Sequence, residues 1–113
     1  MDCLFCKIVN KTLPCQIVYE DEHTLAFNDI QPVAPQHVLI IPKKHIASLN
    51  DITEEHALLL GQTLLVPKLL AKQFDVAERG YRLISNCGPD AHQSVFHIHF
   101  HFIAGRQMSW PPG

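Results

Sequence analysis

Near its C-terminus the chain reads His97-Ile98-His99-Phe100-His101-Phe102-Ile103, three histidines alternating with bulky apolar residues. Successive side chains of a β-strand point to opposite faces. As a strand, this run puts all three imidazoles on one face and Ile98, Phe100 and Phe102 on the other. A helix would press the middle histidine into the phenylalanine stripe, and Phe and Ile favour strands. The pattern predicts a strand from Val95 to Ala104, with one face in the core and the histidines facing a pocket.

Three readings suit such a row of imidazoles. It can be a chance run on a solvated face. It can bind metal, because same-face neighbours lie roughly 6.7 Å apart and two rings from such a pair can converge on one zinc. It can also supply a nucleophile. That requires a neutral ring with one nitrogen held by a hydrogen bond, so that the other lone pair faces a substrate. Flanking histidines would then serve the oxygens of a phosphoryl group.

The rest of the chain supplies the frame. Cys3 to Asn10 reads as a short helix carrying Leu4, Phe5 and Ile8, and Lys11-Thr12-Leu13-Pro14 ends it. Ile17–Tyr19 and Thr24–Asn28 flank the acidic turn Glu20-Asp21-Glu22-His23 and predict a hairpin. After the proline-stiffened stretch Gln31–Pro35, His37 stands at the mouth of Val38–Ile41, a continuous apolar run expected to be a central strand ended by Pro42. A helical turn is expected over Ile46–Leu49. Thr53 suits a helix N-cap, and Glu54 and Glu55 suit the positive end of its dipole. The main helix is expected over 54–73, with Leu58, Leu65 and Leu69 on its apolar stripe and a bend near Thr63 caused by Pro67. Tyr81–Asn86 predicts the next strand, and the Cys87–Asp90 turn leads into the histidine run. Five short strands with one long and one short helix make an α+β fold, an antiparallel sheet covered on one face by helices.

With 113 residues there is room for one domain, spanning 1–113, whose folding buries about two-thirds of the unfolded chain's surface. A net charge of −2 offers no basic field for a nucleic-acid backbone, so small partners are expected rather than polymers. The start of the chain carries an acid rather than a basic flank, and no stretch reaches the ~20 apolar residues of a membrane span. A cytoplasmic protein is expected, with its four cysteines reduced or on metal.

The histidine run follows the His-x-His-x-His-x-x signature with apolar x, and the match extends outward from it. Gln93-Ser94-Val95-Phe96 leads into the run, Leu25-Ala26-Phe27 precedes Asn28-Asp29-Ile30, Ile41-Pro42-Lys43-Lys44-His45 closes an earlier strand, and the tail reads Trp110-Pro111-Pro112-Gly113. Over nearly its whole length the chain resembles the histidine-triad (HIT) superfamily, in its Hint-type nucleotide-binding branch. The resemblance implies a HIT-like two-layer domain that joins its sheet to that of a second subunit in a homodimer. It also implies a purine nucleoside phosphoramidase with His99 as nucleophile, forming a nucleotidyl-histidine that water resolves. His101 and His37 would bind phosphate oxygens and pass protons.

By the same resemblance Asp29 would hold the ribose, and Leu4, Phe5, Ile8, Phe27 and Ile30, with Asn28 beside them, would form the base slot. Asn86, Ser94 and backbone amides around Gln93 would bind the phosphate and leaving atom. Trp110 would reach the partner subunit's site. The Cys3-x-x-Cys6 pair has the spacing of half a tetrahedral zinc site, and many bacterial relatives complete it with histidines at the positions of His45 and His97. A structural zinc is expected there; without it, His45 would join a proton relay behind the triad. Two departures stand out: His92 where relatives usually have glycine, and Cys87 after Asn86. Cys15 and His56 suggest structural roles alone. A dinucleoside polyphosphate hydrolase, and a nucleotide-binding scaffold with little turnover, remain alternatives.

Overall fold

A computed structural model describes residues 2–113. Its centre is a five-stranded sheet, antiparallel throughout, in the order β1-β2-β3-β5-β4. The strands are β1 (Ile17–Glu20), β2 (Thr24–Asn28), β3 (Gln36–Pro42), β4 (Tyr81–Ile84) and β5 (Phe100–Ala104). The apolar run Val38–Ile41 lies in β3, between β2 and β5, and is buried on both faces as a central strand should be.

One face belongs to the long helical stretch. Ala26, Val38, Ile40, Phe100 and Phe102 pack there with Val66, Leu70 and Ala71. The other face carries a second cluster, in which Leu25, Phe27, Leu39 and Ile41 meet Cys3, Phe5 and Ile8 of helix α1 (Leu4–Val9) and its N-cap. Helices therefore cover both faces, with α1 over the side where the histidines point. The Cys3 sulfur caps α1 by accepting the Cys6 amide at 3.3 Å.

The stretch over 54–73 is helical and interrupted where expected. A 3-10 turn (Glu54–His56) runs into α2 (Ala57–Thr63), which stops at Leu64–Leu65 before α3 (Val66–Gln73). Pro67 has no amide to give the Thr63 carbonyl, and the Thr63 hydroxyl turns back onto the Leu59 carbonyl at 2.9 Å. The interruption shifts the helical phase. Val66 and Leu70 enter the core, while Leu58, Leu65 and Leu69 stay outside, 75%, 62% and 48% exposed, contrary to the expected stripe. The earlier helical turn lies at Leu49–Asp51 rather than 46–49.

The histidine strand is shorter than the expected 95–104. Pairing between β3 and β5 ends at Ile40 opposite Phe100. Continuing that register would set Pro42 against Ile98, and Pro42 has no N–H to donate. Its carbonyl accepts instead from His97 Nε2 at 2.7 Å, while the Ile98 amide donates to the Ile46 carbonyl. The alternation survives this change, since Ile98 remains in the helix-side core. β4 likewise ends at Ile84, two residues before the expected Asn86.

Candidate active site and metal centre

The three histidines divide between two neighbouring sites. His99 Nδ1 lies 2.7 Å from the His97 carbonyl oxygen. A carbonyl only accepts, so Nδ1 carries the proton and Nε2 keeps its lone pair in the neutral ring. The ring is buried and packs T-shaped with Phe5 at a centroid distance of 5.1 Å. The Ser85 hydroxyl donates to the His99 carbonyl at 3.0 Å, holding the backbone just outside the ladder.

A second chain of hydrogen bonds fixes the other rings. The Val33 amide donates to His37 Nδ1 at 3.1 Å, so the His37 proton sits on Nε2. That nitrogen donates to His101 Nδ1 at 2.9 Å and stands 3.4 Å from Asp29 Oδ2. The His101 proton is therefore on Nε2. Burial, with His99 and His37 alongside, pushes His101 down to about 4, and burial also lowers His37 despite the opposing pull of Asp29.

Between about pH 4 and the ordinary histidine value of 6.5, the unfolded chain binds the proton that folded His101 refuses. Stability contributed by the neutral ring is thus present above 6.5 and lost as pH falls, by roughly 2–3 kcal/mol across the window. Urea unfolding at pH 7.5 and at pH 4.5 measures this drop. Equal stability at the two values would contradict the assignment.

His99 and His101 open into a cleft of about 610 Å³. Its apolar wall holds Leu4, Phe5 and Ile8 of α1 with Phe27, and Ile30 stands on the rim, 95% exposed. Asn28, Asp29, Asn86 and Ser94 supply its polar groups. Asp29 Oδ1 already accepts the Gln31 amide at 2.8 Å, and Asn86 Nδ2 donates to the Ala91 carbonyl; each keeps spare capacity.

The side chains of three expected contributors do not line this chain's cleft. His37 sits behind His101 rather than on the cleft wall, where it orients that ring. The Gln93 side chain turns inward, donating to the Ala47 and Val95 carbonyls and accepting the Gly88 amide, because it braces the loop. Trp110, expected at the partner's site rather than its own, is 81% exposed outside the cleft of its own chain, with Arg82 at 6.0 Å from its ring. Conversely Leu13, Pro14, Cys15, Leu39 and Val95 line the cleft unannounced. The first three follow α1 without periodicity, and Leu39 read only as core; Cys15 thus has a place beyond the structural one expected.

His97 faces away from the cleft. With Nε2 donating to Pro42, its Nδ1 lone pair points at Cys3 Sγ (3.4 Å), Cys6 Sγ (3.6 Å) and His45 Nδ1 (3.3 Å), and Cys6 Sγ lies 3.4 Å from His45 Nδ1. Zinc bond lengths at a tetrahedral angle require S···N of about 3.6 Å and N···N of about 3.3 Å. These four separations match the edges of a tetrahedral zinc site, and all four donor atoms lie within 4.8 Å of one another. Burial and the neighbouring Cys3 push the Cys6 thiol up to about 11, so this sulfur becomes a thiolate where a cation offsets its charge. His45 belongs to this cluster, not to the His37–His101 chain.

The HIT domain model matches residues 10–108. The chain belongs to the HIT family. Among its relatives, a 14 kDa zinc-binding protein from Zea mays is 51% identical over 97% of this chain and 87% of its own. Adenylylsulfatase HINT1 from Arabidopsis thaliana is 48% identical, over 97% of this chain and 76% of its own. The crystal structure of a HIT family hydrolase from Legionella pneumophila superposes with a TM-score of 0.97 at 50% identity, covering 99% of this chain and all of that one. The HIT membership and Hint-type likeness expected from the motifs hold, and so does the α+β fold. Among the described residues no helix is long and apolar enough to cross a membrane.

Proposed function

We propose that this HIT chain is a nucleotide hydrolase, specifically a purine nucleoside phosphoramidase in which His99 Nε2 attacks the α-phosphorus. The observation that carries this reading is the Nδ1–H bond to the His97 carbonyl, which leaves a nucleophilic lone pair on a cleft-facing ring. Attack forms an N–P bond and breaks the bond from phosphorus to the leaving nitrogen. Water then cleaves the nucleotidyl-histidine, giving the monophosphate and neutral His99.

With His101 held neutral, its role is to donate from Nε2 to a phosphoryl oxygen; the departing nitrogen takes its proton from the bound substrate or from solvent. Asp29 accepts the ribose hydroxyls, and the apolar wall takes the purine. Zinc on Cys3, Cys6, His45 and His97 serves as a structural clamp, joining α1 to the segment before β5. A homodimer would pair the open edge of β4, the strand that carries Arg82 beside Trp110, so that the tail of each copy would lie towards its partner.

Steady-state release of amine from adenosine 5′-phosphoramidate tests the proposal. Turnover with transient labelling of a histidine is expected. A protein that binds adenosine monophosphate but releases no amine would instead be a binding module.

A further inference from the structure

Resting on the reading of His99 as nucleophile, we infer that His92 widens the leaving-group range of this phosphoramidase: its imidazole donates an N–H to an oxyanion departing from the α-phosphorus, so that mixed anhydrides of nucleoside monophosphates are cleaved beside phosphoramidates. His92 lines the same cleft as His99, Asn86 and Ser94, and it is exposed where His99 is buried, which places it towards the mouth. It is fixed there by the backbone. Its φ is +63°, in the left-handed region that favours glycine, so a bulky side chain occupies a position the fold would accept without one.

The loop around it is tightly braced. The His92 amide donates to the Pro89 carbonyl at 3.1 Å, the Gln93 amide to the Gly88 carbonyl at 3.1 Å, and the Gly88 amide to Gln93 Oε1 at 3.0 Å. Asn86 Nδ2 ties the Ala91 carbonyl to the phosphate side of the cleft. The imidazole is thus presented on a rigid turn.

The chemistry of departure selects what such a group can assist. An amine leaves by taking up a proton. An oxyanion leaves with the electron pair of the broken P–O bond and needs its growing negative charge stabilised. An imidazole carries at least one N–H in either protonation state and can supply that stabilisation.

The test compares kcat/KM for adenylyl sulfate and adenosine 5′-phosphoramidate in the native chain, His92→Gly and His92→Asn. Glycine suits the left-handed backbone, so the first variant should fold, and a thermal melt checks it. Asparagine tolerates the same φ and restores an N–H donor. The expected result is a sulfate-to-amidate ratio about tenfold lower in His92→Gly and returned to within about threefold of native in His92→Asn. Equal changes in both substrates, or no change in either, would overturn the role of His92 while leaving the nucleophile assignment intact. A native chain that hydrolyses neither substrate overturns both.

Discussion

Replacing His99 by alanine is expected to lower kcat for phosphoramidate hydrolysis by roughly 10⁴-fold or more, since removing a nucleophile leaves only binding and oxyanion contacts. The geometry sets the size of this effect. His99 alone among the three combines a cleft-facing ring with an Nδ1–H locked to a carbonyl; His101 Nδ1 is occupied by His37, and the His97 lone pair faces the sulfurs. The apolar wall on α1 and β2 is untouched by the change, so affinity for adenosine monophosphate should fall far less than turnover. Single-turnover kinetics beside equilibrium binding separate the two quantities. A variant keeping even about one per cent of native kcat would point to another nucleophile.

Removing metal from the loaded protein should lower its melting temperature by about 10–20 °C, taking a tightly bound ion as worth several kcal/mol to the native state alone. The ligands come from three distant segments, with His97 separated by 94 residues from Cys3 and by 52 from His45. A metal there closes long loops and restrains the unfolded chain much as a cross-link does. An ion on these four ligands would also fix α1, which carries Leu4, Phe5 and Ile8 into the cleft, so nucleotide affinity should fall together with stability. Differential scanning calorimetry before and after chelation, repeated on Cys3→Ser, measures the effect. A shift below about 2 °C would mean that the four side chains are merely packed together.

Much of this arrangement was legible in the sequence because it rests on periodicity and on proline. Alternation through 97–103 put Ile98, Phe100 and Phe102 on the core side, and Pro67 located the break in the long helix near Thr63. What stayed hidden depends on partners that a local pattern does not carry. The ladder stops at Phe100 because of Pro42, 58 positions away in the chain, a fact invisible in the histidine run itself. The exposure of Leu69 beside buried Val66 and Leu70 follows from the phase shift after the break, which no single-period reading contains. Cys3-x-x-Cys6 announced half of a metal site, whereas the resemblance supplied His45 and His97. The resemblance placed backbone amides around Gln93 at the phosphate, and nothing in the local sequence announced that its side chain would brace the loop. Leu13, Pro14 and Cys15 reach the cleft through the turn after α1, which carries no repeating signal.

The placement of His99 one residue outside the β5 ladder also divides the molecule into two regimes of local opening. Amides within paired strands exchange with solvent chiefly when the sheet opens, whereas a segment held by isolated side-chain bonds opens at lower free energy. The segment His97–His99 is therefore suspended from Ser85, Pro42 and Ile46 rather than from strand pairing. Its position can be retuned by substitutions in those loops while the sheet beneath keeps its register.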